Sequence, residues 1–410
     1  MAAAVADVQA TPGRFPGWRV VGAAFACLAT TAGLGFYGLA VYLTVMSREQ
    51  GWSVGSISGA VTLFFLVGGV GGLWTARLLD RFDVRVVVLA GAVVGAVALM
   101  LLGRVTAVWH VYAVYALLSL GHTFAGLVPA TTVVTRWFHV RRSVALSVAS
   151  TGLSAGGVLL TPWAKWLLDR EGLEAATPWL ALAWMVGIIP LTIAFLRSDP
   201  ASLGWQPDGI RMGEATPAVV SVPYREAVRS TYFITVTIAF TLVLAAQVGG
   251  IQQLVKLVEE RVDASTATLA TSLLAGASIV ARLIGGRAAA KVSMARLATG
   301  FAATQGVALL LIAVVDRRVA LLASIVLFGV TVGNLLMLHP LLVGQRFGPA
   351  EYARIFSRSQ LVAFVGTAVG PLLLGALHDA TGDYLVAYLV AGCLSLGGAA
   401  VLTRTVRVDR

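Results

Sequence analysis

Thr266-Ala-Thr-Leu-Ala-Thr-Ser-Leu-Leu-Ala-Gly-Ala-Ser-Ile-Val-Ala-Arg282-Leu-Ile-Gly285-Gly286-Arg287-Ala-Ala-Ala-Lys291 is an apolar run interrupted once by an arginine and closed by bases, with Arg296 following. A helix of roughly 20 such residues crosses about 30 Å of hydrocarbon, so the run reads as a membrane span. An arginine inside a span costs roughly 2.5 to 3.5 kcal/mol on insertion scales, and such residues face a bundle interior or a watery cavity. Arg282 is therefore the first candidate for function.

The rest of the chain has the same character. Of its 410 residues 58% are hydrophobic and 12% charged, half the charge of an average soluble domain. Further spans are predicted at about 18–46, 54–79, 85–104, 109–134, 143–168, 178–196, 231–255, 294–314, 319–343, 355–377 and 384–403, which with 265–286 makes twelve. The expected fold is an all-α membrane protein of twelve transmembrane helices. Its parts are a cytoplasmic tail (1–17), a six-helix half (18–197), a linker (198–228), a second six-helix half (229–403) and a short cytoplasmic tail (404–410). The linker is marked by four prolines, from Pro200 to Pro223.

The net charge of +11 follows from orientation rather than from nucleic-acid binding. With the N-terminus cytoplasmic, 21 of the 30 Lys and Arg fall in the tails, the linker or the cytoplasmic loops, eight in outer loops, and Arg282 alone is intramembrane. This is the positive-inside asymmetry. It implies contact with membrane lipid and a bacterial-type inner-membrane location with both termini cytoplasmic. Residues 1–14 lack the basic start, apolar core and cleavage site of a signal peptide, so the first span is expected to stay as an anchor. Cys27 and Cys393 lie in spans near opposite ends of the chain and make neither a disulfide framework nor a metal site.

The two halves show a weak internal repeat. Leu79-Asp80-Arg81 stands 210 residues before Ala289-Ala290-Lys291, and Gly152 and Gly156 stand 214 residues before Gly366 and Gly370. Parallel halves with a binding site at midplane between them are a transporter architecture. Glycines four apart let two helix backbones approach closely in lipid. Ordinary packing needs nothing more, but packing between halves is what alternating access rearranges, so Gly152, Gly156, Gly366 and Gly370 are candidate conformational residues.

Asp80-Arg81-Phe-Asp-Val-Arg85 follows the second span, and Arg136-Trp-Phe-His-Val-Arg141-Arg142 precedes the fifth. The first resembles the signature loop of the major facilitator superfamily, with Ala76 and Asp83 standing where that pattern has glycines. The second resembles the junction before helix 5 in the branch of monocarboxylate porters and oxalate/formate antiporters. Gly17-Trp18-Arg19 and Gly370-Pro371 through Tyr384 resemble the same branch. Asp80, Arg81, Arg85, Arg141 and Arg142 are accordingly candidate gating residues.

The resemblance implies the major facilitator fold, two pseudo-symmetric six-helix halves, and a substrate-binding arginine at Arg282. A guanidinium offers a planar fork of donors that matches a carboxylate. Its bland alternative is an arginine that snorkels to the nearby interface. The branch's aspartate one turn earlier is Ser278 here, a basic residue that some members carry in helix 1 aligns with Tyr37, and Arg358 lies near the cytoplasm. One central cation suits one carboxylate.

Other candidate cavity residues are Tyr37, His122, Gln247 and Asn334, each equally able to make an interhelical hydrogen bond worth roughly 1 kcal/mol. His122 titrates near neutrality when unperturbed, which makes it a candidate proton carrier. Gln252 and Gln253 could also donate to a substrate. Glu259 and Glu260 are expected to be solvated, and His339 and His378 to be helix-end residues.

The expected function is alternating-access transport of a small organic anion, a monocarboxylate such as pyruvate or lactate, possible proton coupling included, by a monomer without metal or cofactor. Export of a hydrophobic or neutral compound is the alternative, with Arg282 only anchoring helix 8. A non-transporting sensor is disfavoured because the linker is too short for a soluble domain. The sequence contains no phosphate loop, zinc motif or nucleophile set, which argues against an enzyme.

Overall fold

In hydrocarbon each backbone N–H and C=O must be bonded within its own segment, so every apolar run becomes a helix. A computed structural model describes residues 15–52, 54–210, 221–289 and 291–408 of the chain. Among the described residues, eleven helical segments are long and apolar enough to cross a membrane.

One of the eleven, Arg142–Phe195, is a pair of spans. At Gly172 φ turns to +76°, the left-handed region that glycine enters without a Cβ clash, and the chain doubles back. Near this turn Glu49 accepts from the Leu173 amide (3.2 Å), while at the other end Trp137 Nε1 donates to Arg197 O (2.9 Å). The predicted loop at 169–177 is therefore helical on both sides of one residue.

The twelve spans are α1 (Gly17–Gln50), α2 (Val54–Arg81), α3 (Val84–Leu102), α4 (Val108–Trp137), α5 (142–171) and α6 (173–195) in the first half. In the second half they are α7 (Thr231–Arg261), α8 (Ala264–Ala289), α9 (Met294–Val314), α10 (Arg318–Phe347), α11 (Tyr352–Thr381) and α12 (Leu385–Val408). Two are irregular. In α1, Thr31–Phe36 form a π-helical turn, where the Thr31 hydroxyl bonds back to Cys27 O (2.8 Å). In α4 the backbone breaks at Gly126.

Glycines set the packing inside each half. A Cβ at Gly152 or Gly156 would strike the carbonyls of Phe25 and Ala29 on α1. A Cβ at Gly366 or Gly370 would strike those of Thr241 and Ala245 on α7. The two seams, α5 on α1 and α11 on α7, are pseudo-symmetric counterparts. Their glycines join helices of the same half, so a rigid-body movement between halves leaves these contacts untouched.

Both halves present loop ends to the linker, and that end is called the linker face below. The Asp208 carboxylate accepts from the amides of His139 (2.9 Å), Val140 (2.8 Å) and Arg141 (3.1 Å), just before α5. Beyond residues 211–220 the linker fastens the equivalent loop before α11. There Val222 N donates to Phe347 O (3.0 Å), Ser221 Oγ accepts from Ala350 N (3.3 Å), and Glu351 accepts from the Tyr224 amide.

Candidate functional site

Ser143, Ser147, Ser150 and Ser154 recur every three or four residues and make one polar stripe on α5, all four buried. The stripe faces α8. Ser147 Oγ donates to Arg282 O (2.6 Å), and Ser154 Oγ lies 3.5 Å from Ser278 Oγ. Gly286 supplies the clearance, since a Cβ there would crowd Ser147.

Arg282 sits at the centre of this seam and is 1% exposed. Its Nε donates to Gly333 O of α10 (3.0 Å), and one terminal amino group donates to Ser150 O of α5. Gly333 is needed for this approach because a Cβ there would stand 2.9 Å from the guanidinium Nε. Arg282 does not snorkel to the interface; three helices from both halves enclose it. Carbonyls solvate the cation but do not neutralise it. Among the described residues no carboxylate lies within ion-pair distance, and the other terminal amino group has no acceptor. Ser278, in the place where the branch has an acid, is bonded to α5 instead.

Tyr37 follows the π turn of α1, with its ring over Gly157 of α5 and within electrostatic reach of Arg282. His122 lies against the π turn itself. Its Nδ1 is 3.1 Å from Thr31 O, which can only accept, so Nδ1 carries the proton, and its ring packs on Phe64 at 5.4 Å. Gln247 is buried in α7 with Oε1 unpartnered. Asn334 is buried in the α8–α10 seam, where its Nδ2 donates to Ala281 O (3.0 Å) and Val330 O (2.9 Å). The structure thus brings Arg282, Tyr37 and the serine stripe together, and places Asn334 one residue behind.

The loop candidates divide. Asp80 reaches across the halves to Arg354 of α11 (3.5 Å), which also pairs with Glu351 (3.0 Å) and lies 5.0 Å over the Tyr224 ring of the linker. Arg81 is exposed. Arg85 stays in its own half, paired with Asp83 (3.1 Å), which caps α3 through the Arg85 amide (2.8 Å). Partial burial pushes Asp83 up, but the hydrogen bonds and charge of Arg85, helped by Ser198, outweigh it and hold the carboxyl below its usual range. Arg141 contributes its amide to Asp208. Arg142 is buried, with Nε on Phe138 O (3.1 Å) and its guanidinium beside Gly344 of α10.

Three features differ from the sequence reading or escaped it. His339 is not a helix-end residue: α10 runs on to Phe347, and the imidazole stacks on Phe240 at 4.5 Å with Nε2 on Ser359 Oγ (2.8 Å). His378 does lie at a helix end, 3.4 Å from Glu260. Gln253 bonds within its half, to Pro371 O (3.4 Å) and Tyr384 (3.0 Å). The serine stripe of α5 was missed, although its helical period inside an apolar span was a readable signal.

The two halves are joined in the part nearer the linker by hydrogen bonds of Ser147 and Ser150 with Arg282 and of Ser154 with Ser278, and by the ion pair of Asp80 with Arg354. Phe65 and Phe364, with ring centroids 6.4 Å apart, meet near the middle of α2 and α11. The halves are therefore closed on the linker face.

Comparison with known proteins agrees with this architecture. Monocarboxylate transporter 13 of Bos taurus is 26% identical over 397 residues, covering 94% of this chain and 88% of that protein. Monocarboxylate transporter 11 of Homo sapiens is 26% identical over 406 residues, covering 93% and 81%. Among solved structures, the E. coli fucose:proton symporter FucP in the outward conformation superposes with a TM-score of 0.69 at 14% identity, covering 95% of this chain and 98% of FucP. The proton:xylose symporter XylE gives 0.75 at 12%, covering 95% of each. With the Major Facilitator Superfamily model matching residues 25–338 and 261–410, and with twelve spans in two pseudo-symmetric halves, the chain belongs to the major facilitator superfamily and is a membrane transporter rather than an enzyme.

Proposed function

We propose that this transporter carries a small organic anion, a monocarboxylate of pyruvate or lactate size, across a bacterial-type inner membrane, with the linker face cytoplasmic. The observation that carries the reading is Arg282, a buried cation between the halves with carbonyl partners only and a free amino group. Removing a charge from water is repaid only by an opposite charge or by hydrogen bonds, and an entering carboxylate supplies both. The names of the relatives at 26% identity point to the same substrate class.

In this reading Arg282 holds the carboxylate and Tyr37 donates from the first half. His122 and Gln247 line the path, and Asn334 positions α8 against α10. Because Arg282 already bonds to Ser150 O across the seam, a carboxylate that takes over its donors weakens the closed linker face. Substrate binding thereby lowers the barrier to alternating access.

The test is uptake of labelled pyruvate or lactate into proteoliposomes with the Arg282→Gln variant alongside. Two charge-assisted hydrogen bonds are worth about 3 kcal/mol or more together, so the variant should lose over 100-fold in uptake while expression and folding stay near wild type. Normal uptake by a folded variant rejects the assignment. Repeating the assay with an inward proton gradient tests coupling, which His122→Gln should abolish if it exists.

A further inference from the structure

Behind the Arg282 seam, on the opposite side of α8, the chain has a groove of about 590 Å³ between α8, α9 and α10. Its walls include Leu273, Val280, Ile284, Phe301 and Val330, and its floor is Gly276 and Gly285. Val280 and Ile284 are 59% and 63% exposed on spanning helices, so the groove opens toward lipid.

Two polar side chains, Ser272 and Asn334, break the apolar lining. Asn334 is fully buried, and both hydrogens of its amide nitrogen are committed to Ala281 O and Val330 O, which fixes the orientation of the amide. Its Oδ1 has no partner and takes the position where a side chain at Gly285 would begin, at the edge of the groove. A buried acceptor left unsatisfied costs about 1–3 kcal/mol, and among the described residues no donor reaches it.

We propose that the groove binds a neutral, lipid-soluble amphiphile with an apolar body and one hydroxyl, the hydroxyl donating to Asn334 Oδ1. The walls exclude a charged head, because they offer no counter-charge. A plain acyl chain fills the volume but leaves Oδ1 unpaired. Ala281 and Asn334 flank the groove while their chain neighbours Arg282 and Gly333 are bonded to each other on the other side, so the occupant lies one residue behind the seam. This site is independent of the anion reading above.

The experiment uses the full chain in lipid nanodiscs, photolabelled with a diazirine-bearing long-chain alcohol and mapped by peptide mass spectrometry, with 1-dodecanol and dodecane as competitors. Labelling should concentrate on the peptides holding Val280, Ile284 and Phe301, with dodecanol competing about 5- to 10-fold better than dodecane, as one hydrogen bond predicts. Gly276 has open space around a built Cβ, so Gly276→Leu should plug the groove without a clash and abolish the labelling. Asn334→Ala should erase the preference for alcohol over alkane. Equal competition by alcohol and alkane, or labelling that survives Gly276→Leu, overturns the proposal. The Gly276→Leu arm decides it even if Asn334→Ala does not fold.

Discussion

Arg282, in the last third of α8, and Asp263, just before its first turn, are held by opposite means. Arg282 is a cation without an acid, so its replacement by lysine keeps the charge but loses the planar fork that spans α5 and α10. Arg282→Lys should retain more affinity for a carboxylate than Arg282→Gln yet still transport slowly, which initial rates at saturating substrate would show. Asp263 is an acid in water. Its carboxylate accepts from Ser265 and from the amide (2.7 Å) and hydroxyl (2.9 Å) of Thr266, and these bonds hold it down to about 2. A carboxyl whose value drops on folding stabilises the fold above its ordinary range and ceases to do so as pH falls through the lowered value. The first turn of α8 should therefore keep its amide protection from neutral pH down to near pH 2, while Asp263→Ala should expose the Thr266 amide to exchange already at pH 7.

At the level of elements, glycine seams decide which helices travel together. A side chain at Gly156 meets the α1 backbone, which cannot swing aside as a flexible side chain would. Overpacking of this kind costs about 1–3 kcal/mol, so Gly156→Val should lower the unfolding temperature clearly. Gly22→Ala on α1, where a built Cβ meets nothing, should leave it unchanged. Equal effects of the two would mean that the α1–α5 seam does not depend on close approach. The linker acts on elements too: Asp208 caps the loop before α5 and Ser221 through Tyr224 fasten the equivalent loop before α11, so one segment grips matching places on both halves.

Across the whole molecule, the linker face is closed by the serine stripe against α8 and by Asp80 with Arg354. The ion pair is partly exposed, its side chains 34% and 43% accessible, and surface pairs contribute about 0.2–1 kcal/mol. Asp80→Asn or Arg354→Gln should thus shift the balance toward opening by a factor of about 1.4 to 5, without trapping either state. With Cys27 and Cys393 replaced by serine, a reporter cysteine at Ser143 should then react faster with a membrane-impermeant thiol reagent. Unchanged reaction rates in both variants would show that the pair does not hold the seam. The buried bonds of the seam, Ser147 to Arg282 O and Arg282 to Ser150 O, are expected to contribute the larger part of the closure.

The amino-acid order by itself determined the spans, their number and their division into halves, because hydrocarbon imposes one requirement on every segment that enters it. It also marked Arg282, since a charge in such a segment needs a reason. What Arg282 touches was decided only by tertiary structure. Its partners are backbone carbonyls of Ser150 and Gly333, which carry no side-chain signature and come from helices far apart in the chain. The same holds for the glycine pairs, whose spacing announced close approach but not the partner, which proved to lie in the same half. Asn334 and His339 illustrate the remaining limit: a polar residue in a span must find a hydrogen bond, but whether it finds it in a substrate path or in a helix seam depends on which neighbouring helix arrives opposite it.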